Sequence, residues 1–185
     1  EDIGFTRAPQ LGGADNLWIM HHDGSGQSQL HVGADGNSSL TWSPDGNYIA
    51  FESVRDGNLE IYTARVIDNS DDTYSAQDIQ RRTTSSADDS SPAWSNDCAL
   101  LAFSSNRANQ NYYNIYQLDV SNNNLNPITS GNYEDLSPSW SPDGRYIVYS
   151  SSERAAALRI MRSDGTGVMK LNTGIKGEKA PAWSP

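Results

Sequence analysis

Apolar residues in this chain come in short runs of period two, separated by clusters of Ser, Asn, Asp and Gly. Leu59-Glu60-Ile61-Tyr62-Thr63-Ala64 alternates as a half-buried strand does. Tyr48-Ile49-Ala50-Phe51-Glu52-Ser53 is a second short apolar strand, and Arg55-Asp56-Gly57-Asn58 between the two is a hairpin signal. Upstream, Ser38 to Trp42 reads as a strand, and Pro44-Asp45-Gly46-Asn47 is a turn whose dihedrals Pro and Gly supply. Downstream, a polar loop from Asp68 to Asp78 leads to Ile79-Gln80-Arg81-Arg82-Thr83, an outer strand whose charges discourage further pairing. The pattern predicts a unit of four antiparallel strands.

That unit recurs. Trp42-Ser43-Pro44-Asp45-Gly46 returns as Trp94-Ser95-Asn96-Asp97-Cys98 and Trp140-Ser141-Pro142-Asp143-Gly144, and the chain ends in Trp183-Ser184-Pro185. The tryptophans stand 52, 46 and 43 residues apart, a period that signals a repeat architecture. The N-terminus is a copy without its first strand: Ile3-Gly4-Phe5-Thr6 matches Ile49-Ala50-Phe51-Glu52. The sequence thus begins at a second strand and ends at a first, the phase at which 180–184 pairs with Ile3–Thr6. Sheets this small need neighbours to bury their faces. Radial packing of such sheets is a β-propeller, whereas a β-sandwich has no reason to repeat one motif in phase. The predicted fold is therefore all-β, a propeller of four-stranded antiparallel blades. The 185 residues form one domain, with blades at 1–36 (completed by 178–185), 37–86, 87–132 and 133–177. They make either a closed four-bladed ring or part of a larger one.

A formal net charge of −10 argues against nucleic acid or anionic membrane as the main partner, since both need a basic surface. Basic protein patches and cations fit it better. Cys98 is alone and stands where two other copies carry Gly, so it reads as a turn residue. No run reaches the ~20 apolar residues of a membrane span, so no direct membrane insertion is expected. With neither an initiator Met nor a signal peptide, the sequence looks like a mature or trimmed segment.

The repeated Pro-x-Trp-Ser-Pro-Asp-Gly, followed by Ile-Ala-Phe-x-Ser, Ile-Tyr and Asp-Gly, resembles the Pro-Asp repeats of TolB-like propellers. The third copy departs from it, with Asn96 and Cys98 in place of Pro and Gly. The resemblance covers nearly the whole chain. It implies a propeller with an envelope, periplasmic or extracellular setting, and six or more blades in the usual ring. Similar repeats occur in the propeller domains of tricorn-type and prolyl-oligopeptidase-like peptidases, so the resemblance fixes fold more narrowly than function.

No Gly-x-Ser-x-Gly elbow or His-Glu-x-x-His is present, and His21, His22 and His31 fall at a strand end, a hairpin and an outer strand. No catalytic residue is therefore assigned. Five residues before each repeat Trp stand Asn37, Asp89, Asp135 and Glu178. On innermost strands these approach the channel mouth, where converging oxygen ligands suit Ca²⁺, with the three acids as ligands. A solvated acidic rim explains the same spacing, and no cofactor is required. The expected function is a non-enzymatic protein-interaction module. Its contact elements are the loops Asp68–Asp78 and Ser105–Tyr113, the second rich in Asn, Gln and Tyr. The alternative is an accessory or gating propeller of a hydrolase or peptidase, or a carbohydrate-binding propeller.

Overall fold

The period-two runs become strands. A computed structural model describes residues 2–8, 15–33, 36–69, 71, 73–153, 156–171 and 179–183. Blade 1 is a three-stranded sheet of β1 (Asp2–Arg7), β2 (Asn16–His21) and β3 (Ser28–Gln29). Blade 2 is β4 (Asn37–Trp42), β5 (Tyr48–Ser53), β6 (Glu60–Asp68) and β7 (Tyr74–Arg81). Blade 3 is β8 (Asp89–Trp94), β9 (Leu100–Asn109), β10 (Tyr112–Asp119) and β11 (Leu125–Pro127). Blade 4 is β12 (Asp135–Trp140), β13 (Tyr146–Ser151), β14 (Ala157–Arg162) and β15 (Met169–Lys170). Every ladder is antiparallel between sequence neighbours, and the four blades are arranged as a four-bladed propeller with no helix among the described residues.

Three apolar clusters fill the spaces between successive blades. Leu17, Ile19 and Leu30 of blade 1 meet Phe51 and Tyr62 of blade 2. Ala50 and Ile61 meet Trp94, Leu101 and Phe103, and Ala102 and Ile115 meet Trp140, Ile147 and Tyr149. The repeat tryptophan thus packs against the small residue on the second strand of the preceding blade: Trp94 against Ala50, Trp140 against Ala102. The Ser-x-Asp turn closes each inner hairpin identically. The hydroxyls of Ser43, Ser95 and Ser141 donate to Asp45, Asp97 and Asp143 at 2.5, 2.6 and 2.6 Å. Each hydroxyl oxygen also accepts the amide of Tyr48, Leu100 or Tyr146. Cys98 adopts φ 59° in the place of glycine, as a turn residue.

The inner strands share a bulge invisible to the pattern. Ser39, Ser91 and Ser137, each three residues before its Trp, have φ of 49°, 54° and 54°, and the ladder register shifts at each. Ala180, three before Trp183, has φ 47°.

Three expectations differ from the structure. The loop expected at Asp68–Asp78 is largely ladder: Val66 pairs with Ala76 and Asp68 with Tyr74. Val66, Tyr74 and Ala76 reach beyond blade 2 onto the blade 1 cluster, so their burial extends the hairpin and starts the fourth strand at Tyr74. The loop expected at Ser105–Tyr113 is also a hairpin, with Asn109 opposite Tyr112 and Asn114 opposite Ser105. Its residues are polar because the hairpin projects from the sheet, and backbone pairing needs no apolar side chain. The ladder expected between 180–184 and Ile3–Thr6 is absent among the described residues. Instead, the Trp183 indole Nε1 donates to Ser139 O of β12 at 3.1 Å, and Ser184 lies outside the described residues. Val148 of blade 4 stands where Ala50 and Ala102 stand in the blades before it. It leaves no small-residue seat for the Trp183 ring, which is 37% exposed.

Candidate functional site

At the end of the blades where inner strands begin and second strands finish, the structure brings a repeated polar clasp into view. In blade 2 the Arg55 Nε donates to Ser53 Oγ at 2.8 Å, Nη1 to Val32 O at 2.7 Å and Nη2 to Asn37 Oδ1 at 3.0 Å. Its guanidinium lies 4.3 Å from the Tyr62 ring centre and 5.8 Å from that of Phe51, and those rings stack on each other. Blade 3 repeats the arrangement. Arg107 Nε donates to Ser105 Oγ at 2.9 Å and Nη2 to Asp89 Oδ2 at 2.7 Å, over the stacked Phe103 and Tyr116 rings. Asn37 and Asp89 are fully buried. A guanidinium caught between an aromatic face and an acceptor is stabilised by both.

Blade 4 breaks the pattern. Glu153 occupies the position of Arg55 and Arg107, and Arg159 replaces the tyrosine of the aromatic pair, opposite Tyr149. Arg159 Nη2 donates to Glu153 Oε2 at 2.9 Å. Asp135 is 1% exposed, and neither carboxylate oxygen accepts a well-aligned hydrogen bond. Burial pushes its carboxyl above the usual range. The hydroxyls of Ser151 and Thr129 and the charge of Arg159 pull in the other direction without prevailing.

Of the four residues marked by spacing, then, Asn37 and Asp89 each engage an arginine of their own blade, Asp135 does not, and Glu178 lies outside the described residues. Among the described residues no group of three His, Cys, Asp or Glu side chains is placed to hold a metal ion. The clasp itself was missed in the sequence, although Ser53-Val54-Arg55 and Ser105-Asn106-Arg107 carry its Ser-x-Arg signal.

The β9–β10 hairpin stands over the same end. Asn109 Nδ2 donates to Asn132 Oδ1 at 3.2 Å and the Tyr113 amide to Glu134 Oε2 at 3.2 Å, fixing the hairpin across blade 4. Burial and then the negative charges of Asp88 and Glu134 raise the Tyr113 phenol; burial and Glu153 do the same to Tyr133. A cavity of about 240 Å³ lies alongside, lined by Glu134, Leu136, Ser150, Ser152, Ala156 and Lys179. At the opposite end a recess of about 310 Å³ is walled by Pro44, Trp94, Trp140, Pro142 and Trp183. The acidic turn there is tied down locally, with Asp143 held to about 2 by the Ser141 hydroxyl and by Arg145. His21 is tied to Asp2 at 3.2 Å and to the Tyr74 hydroxyl at 2.9 Å; His22 and His31 are exposed.

Antiparallel blades, three of them four-stranded, packed through a recurring Trp and closed by Ser-x-Asp turns, define a β-propeller built from Pro-Asp repeats. The chain belongs to the TolB beta propeller domain family, whose model matches residues 6–185. Solved structures agree on the fold. A putative TolB from Agrobacterium tumefaciens superposes with a TM-score of 0.79 at 21% identity, over 91% of this chain and 60% of that one. TolB from Acinetobacter baumannii gives 0.77 at 22% identity, over 98% and 43%. A Mycobacterium tuberculosis puromycin-hydrolyzing peptidase gives 0.73 at 16% identity, over 92% and 28%. The chain thus spans 60% or less of each of these structures. No curated protein sequence matches it. No helix among the described residues is long and apolar enough to cross a membrane.

Proposed function

We propose that this propeller is a non-enzymatic interaction module of the cell envelope or extracellular space, and that it recognises a protein partner through the clasp end. The observation that carries the reading is the contrast between blades. Blade 3 neutralises its buried acid with Arg107, whereas blade 4 leaves Asp135 without such a partner, beside Glu134, Glu153, Tyr113 and Tyr133. Acidic groups interleaved with tyrosines favour a basic, extended partner segment, since Tyr supplies a stacking face and a hydrogen bond at small entropic cost. The overall charge of −10 has the same sign as this patch and speeds encounter with a basic partner at low salt. The propeller comprises all 185 residues as one domain.

Calcium belongs to this proposal in a narrower form than a ring of four ligands. Asn37 and Asp89 already engage arginines, so the acid without one is the buried Asp135, with Glu178 as its sequence companion. A millimolar Ca²⁺ shift of the melting temperature, abolished in Asp135→Asn, supports it; no shift beyond matched ionic strength removes it.

The interaction reading is tested with a Lys/Arg-rich peptide titrated by fluorescence anisotropy at 50 and 300 mM NaCl. Binding that weakens with salt and in Glu134→Gln/Glu153→Gln supports it. Equal binding by that variant, or none by wild type, contradicts it. A peptidase-gating role is the second reading, favoured by the likeness to the puromycin-hydrolyzing peptidase, which bears on fold alone.

A further inference from the structure

Blade 4 keeps the receiving half of the clasp without the arginine that fills it in blades 2 and 3. Asn37, Asp89 and Asp135 open the inner strands of blades 2, 3 and 4, and each faces a serine of the second strand: Ser53, Ser105 and Ser151. Each serine Oγ accepts the amide of the residue two positions on, at 3.4, 3.3 and 3.3 Å. The three turns therefore share one geometry. In blades 2 and 3 the side chain at that turn position is an arginine. Its Nε donates to the serine Oγ and its Nη2 meets the inner-strand acceptor. In blade 4 the position holds Glu153, and among the described residues no guanidinium reaches Ser151 Oγ or Asp135.

Arg159 stands nearby but is engaged by Glu153, its Nη2 donating to Oε2 at 2.9 Å and to the backbone O at 3.3 Å. Asp135 is almost wholly buried and accepts no well-aligned hydrogen bond. A buried carboxylate is costly unless a cation or several donors meet it. Tyr149, also buried, holds the place of Phe51 and Phe103, rings over which the guanidinium lies in the other two blades. A way in exists as well. The cavity of about 240 Å³ is lined by Ser151, the residue facing Asp135, and by Glu134 at its rim. With water taking about 30 Å³ in the liquid, the space admits a guanidinium.

We propose that blade 4 is the seat for one arginine side chain of the partner protein, which completes the clasp from outside, with Nε on Ser151 Oγ, the terminal nitrogens on Asp135 and the Tyr149 ring beside them. It rests on the reading of this end as the contact for a basic segment, and narrows that contact to one side chain. Lysine fills the seat poorly. The clasps of blades 2 and 3 use separate nitrogens of one planar head on separate acceptors, and an ammonium is a point charge without that fork. Glu134 and Glu153 attract either cation alike.

The test uses two fluorescent peptides of equal length and charge, one with a single arginine and one with lysine in its place, titrated by anisotropy. Wild type is expected to bind the arginine peptide about ten-fold more tightly. Asp135→Leu removes the acceptor and brings the ratio near one, whereas Asp135→Asn keeps an oxygen, as at Asn37, and retains a preference. Glu153→Arg/Arg159→Tyr gives blade 4 the side chains of blade 3, fills the seat from within and also brings the ratio near one. The peptides carry equal charge, so the ratio does not respond to the charge this variant adds. Circular dichroism melts establish which variants are folded, and the double variant decides if Asp135→Leu is not. A wild-type ratio near one, with binding still weakened by salt and by Glu134→Gln/Glu153→Gln, overturns the arginine seat and leaves the acidic contact standing. A preference that persists in Asp135→Leu or in the double variant overturns the seat too. Binding of neither peptide overturns both. N-acetyl-arginine amide binding as tightly as the arginine peptide overturns the protein source, since a free guanidine then suffices.

Discussion

A Cβ built on Gly4 would stand 2.3 Å from Leu40 Cδ2, so a side chain there must displace the end of Leu40 where blade 2 docks against blade 1. The same Cβ would be 3.0 Å from the Trp42 indole Nε1. Ala50 and Ala102 hold the corresponding places in the next two interfaces, where a methyl fits. Gly→Ala in a strand ordinarily gains a few tenths of a kcal/mol or more through the unfolded chain. Here overpacking reverses the sign, and Gly4→Ala is expected to cost about 1–3 kcal/mol. Urea denaturation measures it; an unchanged or raised midpoint shows that the first interface is looser than described.

The repeat tryptophans are not equivalent. Trp94→Ala and Trp140→Ala are each expected to cost about 3–5 kcal/mol, the usual loss for a buried aromatic, and Trp42→Ala somewhat less because its ring is only partly covered. Trp183→Ala should cost far less in monomeric protein, with its ring 37% exposed. Thermal melts at low protein concentration rank the four, and equal losses contradict the assignment.

The clasp predicts an asymmetry between its two partners. An amide fills the acceptor position naturally at Asn37, so Asp89→Asn should be tolerated within about 1 kcal/mol. Arg107→Met instead leaves the Asp89 carboxylate buried without its cation, at a cost of about 3–5 kcal/mol. Denaturant midpoints of the two variants check the order; Asp89→Asn falling below Arg107→Met sinks it.

Asp135 titrates in the opposite sense to a salt-bridged carboxylate. Its folded pKa is raised above the ordinary 3.8, chiefly by burial. The folded state therefore binds this proton more tightly than the unfolded chain does. The resulting stabilisation is fully present below pH 3.8 and is lost as pH rises through the folded value. Asp135→Asn should be at least as stable as wild type at pH 7 and lose this component of the pH dependence. A variant less stable than wild type at pH 7, by chemical denaturation, contradicts that sign.

Most of the fold was legible because one unit recurs four times. Tyr48–Ser53 could be misread alone but not beside Leu100–Ser105 and Tyr146–Ser151 in the same phase. The hairpin extensions were illegible for different reasons: Val66 and Tyr74 pack in a cluster shared with the neighbouring blade, and the second hairpin, with Asn109 opposite Tyr112, carries the polar tip Asn109-Gln110-Asn111. Spacing located Asn37, Asp89 and Asp135 on inner strands, but it could not reveal that arginines from the following hairpins neutralise some and not others. That depends on Arg55, Arg107 and Glu153 occupying one structural position.

The central claim is that recognition happens at the clasp end, over the β9–β10 hairpin and blade 4. Amide hydrogen exchange with and without a saturating Lys/Arg-rich peptide tests it most directly. Protection is expected at Asn109–Tyr113 and Tyr133–Leu136, with none at the Ser43–Gly46 and Ser141–Gly144 turns at the opposite end. Protection confined to those turns and the Trp94–Trp140 recess would contradict it.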